Sequence, residues 1–335
     1  MSAGWSTHLP RLTIRDYVRE LEPEYSLLWA WRDRYEQWRE QLRPRLVELM
    51  GLPAHRCDLQ VRELDTIDCE GYWRTKLAYE VEEGLTASAW VCVPHDNESP
   101  LPAVVCAHPR GAGKDALVGL AGDPHVDHHP AYAHELATRG YVTLAPDARC
   151  FGERLDSERG LAAAGALIGR PLMGMQAWDL SRAVDYLCRR PDVRSDRVGI
   201  SGMGMGAVHA VFAAAVDERI ACTGVCAGLS TYRELLVARD CFAAGEPPPD
   251  LPPGLLRYAD LDDVACLIAP RPLMMVQSTA DSRVPARGGE ECLERVAAGY
   301  ELMGEKIRAQ MHTSDGPACY PTNLLYQFMD DWLKL

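Results

Sequence analysis

The residues with most chemical promise run from Asp196 to Ala207, reading Asp-Arg-Val-Gly-Ile-Ser-Gly-Met-Gly-Met-Gly-Ala. A short apolar strand leads into glycines spaced by one residue, then into a small-residue helix. That is the setting of a nucleophile elbow, Gly-x-Ser-x-Gly. Gly202 and Gly206 would permit the sharp turn and a close approach of helix to strand. The centre of the frame, where a serine hydroxyl would stand above the sheet, holds Gly204. Without Oγ there is no covalent acyl intermediate. The N–H of Met205 remains as an oxyanion donor, because it belongs to the backbone.

Other motifs follow in order around this elbow. They are Cys106-Ala107-His108-Pro109-Arg110-Gly111, then Asp147-Ala148-Arg149-Cys150-Phe151-Gly152-Glu153-Arg154, then Trp178-Asp179 through Asp185-Tyr186-Leu187 to Arg190-Pro191-Asp192-Val193. Ala269-Pro270-Arg271-Pro272 is followed by Asp281-Ser282-Arg283-Val284-Pro285. Over residues 60–335 the chain thereby resembles the α/β-hydrolase superfamily, in particular its acetylxylan-esterase and dienelactone-hydrolase-like branch. The resemblance implies that the 106–111 loop helps to form an oxyanion hole and that Asp281 is the triad acid. It also implies a histidine in a Gly-Pro-His-Gly-Tyr-like segment before the C-terminal helix. This chain reads Asp315-Gly316-Pro317-Ala318-Cys319-Tyr320-Pro321 there, so Ala318 takes the histidine position. The triad is degenerate and only Asp281 is left. Without imidazole nothing accepts or returns the proton, and such remnants leave roughly 10³–10⁴-fold catalysis over water.

The same resemblance points to residues around the pocket. His108 is the histidine expected to face it, with Arg110 and Met203 alongside. Cys150 stands where the motif has glycine; a thiolate nucleophile competes there with the plainer reading of a small residue in a turn. His312, six residues before Ala318, offers a replacement base or a structural strand histidine. Ser201, on the elbow strand, should point away from the pocket. Asp123, His125, Asp127, His128 and His129 have metal-ligand chemistry, but their spacing matches no helix-based ligand motif. A solvated loop is the favoured reading, and neither a metal nor another cofactor is expected. Arg149, Glu153 and Arg154 would either bind an anionic group or pair with each other.

The elements that position these residues follow from periodicity. Residues 11–50 place Leu12, Tyr17, Leu21, Leu28, Trp31, Tyr35, Trp38, Leu42, Leu46 and Leu49 at helical spacing, and Gly51 supplies a stop. Trp29, Trp31 and Trp38 are expected to pack against the main domain rather than line a ligand site. Short β-like runs follow at Leu59–Ile67, Tyr72–Val81 and Thr86–Val93. Apolar strands at Ala103–Ala107, Tyr141–Ala145, Val198–Ser201, Ile220–Val225 and Leu273–Val276 alternate with helices at Ala131–Arg139, Gln176–Arg189, Gly206–Val216 and Gly288–Met303. The pattern predicts an α/β class: a mostly parallel sheet covered by helices on both faces. An N-terminal helical arm would span 1–58 and the α/β-hydrolase domain 59–335, with a Pro-rich, lid-like excursion near 228–260.

Composition narrows the function. The 335 residues carry 35 Lys and Arg against 48 Asp and Glu, a net charge of −13 that argues against a nucleic-acid partner. No run approaches the ~18 apolar residues of a membrane span. Met1-Ser2-Ala3-Gly4-Trp5 lacks the basic start of a secretory signal, so a cytoplasmic location is expected. Twelve cysteines without a CxxC pair read as small buried hydrophobes in a reducing compartment. The expected partner is a small-molecule substrate or ligand, with no membrane partner and with homo-oligomerisation open. Three functions remain. The favoured one is a non-hydrolytic enzyme in which Asp281, buried in an apolar cleft, does acid/base chemistry such as isomerisation, elimination or cyclisation. The others are a pseudoenzyme that binds a ligand or partner, and a serine esterase whose Ser and His were replaced by engineering.

Overall fold

The computed structural model describes residues 14–95, 100–121, 131–238, 251–281 and 283–334. Its strands are β1 (Arg62–Cys69), β2 (Tyr72–Glu82), β3 (Leu85–Pro94), β4 (Leu101–Ala107), β5 (Val142–Pro146), β6 (Val193–Met203), β7 (Thr223–Cys226), β8 (Leu273–Ser278) and β9 (Ala309–Ser314). They form one sheet in the order β1-β2-β3-β5-β4-β6-β7-β8-β9. The β1–β2, β2–β3 and β3–β5 pairs are antiparallel, and all pairs from β5 through β9 are parallel. β5, β7 and β8 are buried along their whole length, which is why they read as unbroken apolar runs.

Successive residues of a strand face opposite layers. Val105, Ile200, Val225 and Met275 join one apolar layer with the helices Leu172–Cys188, Met205–Val216 and Ala286–Leu302. Val104, Met203, Cys226 and Val276 join the other, with the helices Tyr132–Thr138 and Thr322–Leu333. The fold is that of an α/β-hydrolase. The ends of β4, β6, β7 and β8 that carry the motifs lie side by side because these strands are parallel neighbours.

The arm is not one amphipathic helix. It runs as Ile14–Glu20, Leu27–Ala30, a short 3-10 turn and Tyr35–Leu49. Pro23 falls in the first gap, where it removes a donor and disfavours helix in the preceding residue. Trp38, Leu42 and Leu46 are wholly buried in the layer that holds Leu77 and Tyr79 of β2. Trp38 Nε1 donates to the Tyr25 carbonyl at 2.7 Å. Trp31 packs at the edge of that layer, and the side chain of Trp29 lies outside the described residues. Residues 239–250 of the expected excursion lie outside the description too; its flanks are the helices Tyr232–Ala238 and Leu261–Cys266. Among the described residues, no helix is long and apolar enough to cross a membrane.

Candidate functional site

β6 ends at Met203 and the next helix begins at Met205, so the turn is made by Gly204 alone. Its φ of +58° and ψ of −117° lie where side-chain-bearing residues are rare. The flanking glycines serve close approach. A Cβ on Gly206 would sit 2.1 Å from the Ala107 carbonyl oxygen, and one on Gly202 would sit 2.4 Å from that of Gly206. At Gly204 there is room instead. Among the described residues, a Cβ there would have within 4 Å only Arg283 Nη1 at 3.6 Å and Pro109 Cβ at 3.7 Å. Met205 heads the 12-residue helix, so its N–H has no intrahelical acceptor and lies beside this space. Pro109 is the 106–111 loop residue nearest the space, and it has no N–H to add.

Asp281 follows β8 by three residues, and its side chain is 2% exposed. One oxygen accepts the Gly228 N–H at 3.2 Å. The other accepts from Arg283 twice, from the backbone N–H at 3.0 Å and from Nε at 3.1 Å. The expectation of an apolar cleft around Asp281 is therefore corrected: a guanidinium covers it. Arg283 belongs to the acid loop, and sequence reasoning assigns it no role. Its spacing of two residues from Asp281 was the available signal, since a local turn can fold such a side chain back.

The Ala318 loop is fixed at both ends. Ser278 Oγ donates to the Gly316 carbonyl. Tyr320 stacks on Tyr132 with centroids 4.2 Å apart, and its hydroxyl meets Ser201 Oγ at 2.7 Å. Ser201 also donates to the Gly224 carbonyl at 2.8 Å, so this serine is buried in the sheet and turned away from the elbow. Ala318 itself is half-buried against the layer of the C-terminal helix.

Other expected pocket residues are employed elsewhere. His108 is buried, and its Nε2 accepts the Ala148 N–H at 2.9 Å, which puts the proton on Nδ1, 2.7 Å from the Pro109 carbonyl. Burial lowers its pKa, and the ring ties two loops together rather than facing a ligand. Met203 lies wholly inside the apolar layer, because strand alternation sends it there. Arg110 forks onto Glu158 with its guanidinium over Phe151. His312 sits opposite Val276, below the strand ends, and faces that residue's layer; among the described residues its Nε2 has no hydrogen-bond partner. Cys150 is buried with φ +72°, a conformation that suits the glycine it replaces. Asp123, His125, Asp127, His128 and His129 lie outside the described residues, among which no cluster of three His, Cys, Asp or Glu could hold a metal.

Arg149, Glu153 and Arg154 pair, though with other partners. Arg149 forks onto Asp179 at 2.8 and 2.9 Å and reaches Glu82 at 2.7 Å, while Arg154 meets Asp179 at 2.6 Å. Lys114, 1% exposed, bridges Asp147 at 2.7 Å and Glu153 at 3.0 Å. Burial would lift the Glu153 carboxyl, but hydrogen bonds from Lys76, Ser88 and Lys114 outweigh it and hold the group at about 2. This network ties β2, the loop after β5 and the helix Leu172–Cys188 to one another. A separate open groove of about 1420 Å³, lined by Asp58, Arg62, Glu83, Tyr186, Arg189 and Asp192, lies at the N-terminal end of β6.

Comparison with known proteins agrees with this architecture. The model of the Abhydrolase family (Abhydrolase_7) matches residues 10–314. "Putative hydrolase YtaP" of Bacillus subtilis strain 168 is 29% identical over 272 residues, covering 79% of this chain and 89% of that protein. Among solved structures, a "putative acetyl xylan esterase" from Bacteroides fragilis superposes with a TM-score of 0.75 at 19% identity, over 90% of this chain and 81% of that one. A glucuronoyl esterase from Solibacter usitatus gives 0.65 at 15% identity, over 88% and 93%. At those identities the solved structures speak for the fold. The family match spans nearly the whole chain, and this protein belongs to the Abhydrolase family.

Proposed function

We propose that this chain is a non-hydrolytic member of its family that holds a small molecule at the elbow without forming an acyl-enzyme. The observation that carries the reading is the state of Asp281. In a triad the acid orients a histidine; here both its oxygens accept hydrogen bonds from Gly228 and Arg283. The slot above Gly204 has no hydroxyl, and the Ala318 position has no imidazole. What persists is an open space beside a helix-leading N–H and a guanidinium.

This supports binding over the acid/base reading that the sequence favours. Asp281 is held by its own chain through both oxygens, and its side chain is nearly sealed from solvent, which supports a positioning role over proton transfer to a ligand. The test is direct. The parent protein should show no burst and no serine-type turnover on small activated esters, and a fluorophosphonate should leave it unlabelled. Stoichiometric labelling of any residue at the elbow would overturn the proposal.

A further inference from the structure

We propose that the outer edge of β1 docks an extended, positively charged peptide segment of a partner protein, added to the nine-stranded sheet as one more strand. β1 ends the sheet and, among the described residues, pairs only with β2. Four strands separate it from β6, so this surface does not depend on what the elbow binds. A strand of an antiparallel sheet ordinarily buries one face. β1 buries neither: Arg62 through Asp68 are all exposed, with Leu64 at 56% and Ile67 at 38%. It is nevertheless a regular strand over Asp65–Cys69, whose residues match Lys76, Thr75, Arg74, Trp73 and Tyr72 in turn. In such a ladder alternate residues turn their N–H and C=O outward, where a further strand can take them. The irregularity between Glu63 and Asp65 bounds that edge, so it suits a short recognition segment.

Charge selects the occupant. Glu63 and Asp65 have no ion-pair partner among the described residues, and Asp68 has only His95, at 3.0 Å. Lys76, matched to Asp65 across the ladder, gives its Nζ to Glu153 instead. Arg62 is the only basic residue that β1 carries. A second copy of β1 would bring Glu63, Asp65 and Asp68 into one interface twice over, and facing like charges destabilise a strand pair. A strand with lysines at alternate positions meets these carboxylates and lays its aliphatic stems along Leu64 and Ile67. The acids that keep neutral and acidic strands off the edge thereby admit a basic one.

The experiment uses the full chain and a labelled Lys-Val-Lys-Val-Lys-Val-Lys peptide, titrated by fluorescence anisotropy at fixed ionic strength. Two controls accompany it. One is the Glu-Val analogue; the other is the Lys-Val peptide N-methylated along its backbone, which keeps the charge and removes the donors. The Lys-Val peptide should bind about tenfold or more tightly than either control, and Glu63→Gln with Asp65→Asn should weaken it by about fivefold. An N-methylated peptide that binds as well as its parent would reduce the effect to general attraction by an acidic protein and overturn strand addition. A folded double variant with unaltered affinity would overturn it too, because the peptide would then sit elsewhere. Sedimentation of the protein alone tests the other occupant: a dimer that Thr66→Pro turns into monomer would show a second copy on the edge and refute the proposal.

Discussion

Installing a serine at Gly204 and a histidine at Ala318 tests the proposal that these are the two vacant triad positions. Gly204→Ser places a hydroxyl where the described neighbours leave room, since the nearest atoms to its Cβ are 3.6 and 3.7 Å away. The backbone there has φ +58°, so the serine should lower stability by about 1–3 kcal/mol. Ala318→His would add the base, and the pair should hydrolyse p-nitrophenyl acetate well above either single variant, because triad members act as a unit. Two features limit the gain. Pro109 supplies no N–H, and a missing oxyanion donor costs about 3 kcal/mol of transition-state stabilisation. Arg283 also competes for Asp281. A charge-assisted hydrogen bond contributes about 1.5–3 kcal/mol when sheltered, and with Arg283 46% exposed we discount it to about 1 kcal/mol. Adding Arg283→Met should therefore raise kcat/KM roughly fivefold over the double variant. Initial rates of the parent, both singles, the double and the triple decide the matter. A folded double variant no more active than the parent would refute the placement of Gly204, Ala318 or both. A triple variant that merely equals the double would refute the competition by Arg283.

Three further outcomes are expected. Cys150 holds φ +72°, so Cys150→Gly should be more stable than Cys150→Ala by about 1 kcal/mol, the reverse of their usual order; thermal unfolding of the two variants reads it. Lys114→Met would leave Asp147 buried without its counter-charge and should cost about 3–5 kcal/mol by denaturant titration, whereas an unchanged midpoint would show that the pair is dispensable. Asp262 and Asp263 are buried together; burial and each other's charge hold Asp262 well above the usual carboxyl range, and Asp263 is pushed up to about 7, chiefly by burial. Acids raised in the folded state favour folding most below about pH 4 and lose that contribution as pH climbs toward their folded values. Asp262→Asn should therefore stabilise the protein more at pH 8 than at pH 5. Equal effects at both would contradict the burial argument.

How far the sequence could be read depended on the range of the interaction. The parallel core was legible because strands buried on both faces must be apolar throughout, as β5, β7 and β8 are. The elbow glycines were legible because close approach of backbones excludes a side chain, and the 2.1 Å that a Cβ on Gly206 would leave to the Ala107 oxygen is that constraint in numbers. What could not be read was where polar side chains point once the chain is folded. His108 carries a motif position yet gives both nitrogens to backbone groups, a choice made by Ala148, 40 residues away. Met203 precedes the elbow by one residue, and strand alternation alone turns it into the core. The exposed helix Glu158–Leu167 is not legible in the sequence because its alanines carry no strong periodicity and it buries little of its surface. Arg283 is the case with functional weight. Its type and its distance along the chain from Asp281 were legible, but that the side chain reaches back onto Asp281 is a matter of tertiary geometry. In the structure Asp281 accepts from Arg283 at 3.0 and 3.1 Å, and Arg283 Nη1 stands 3.6 Å from the place a Gly204 Cβ would occupy, so the acid loop and the elbow meet through that one side chain.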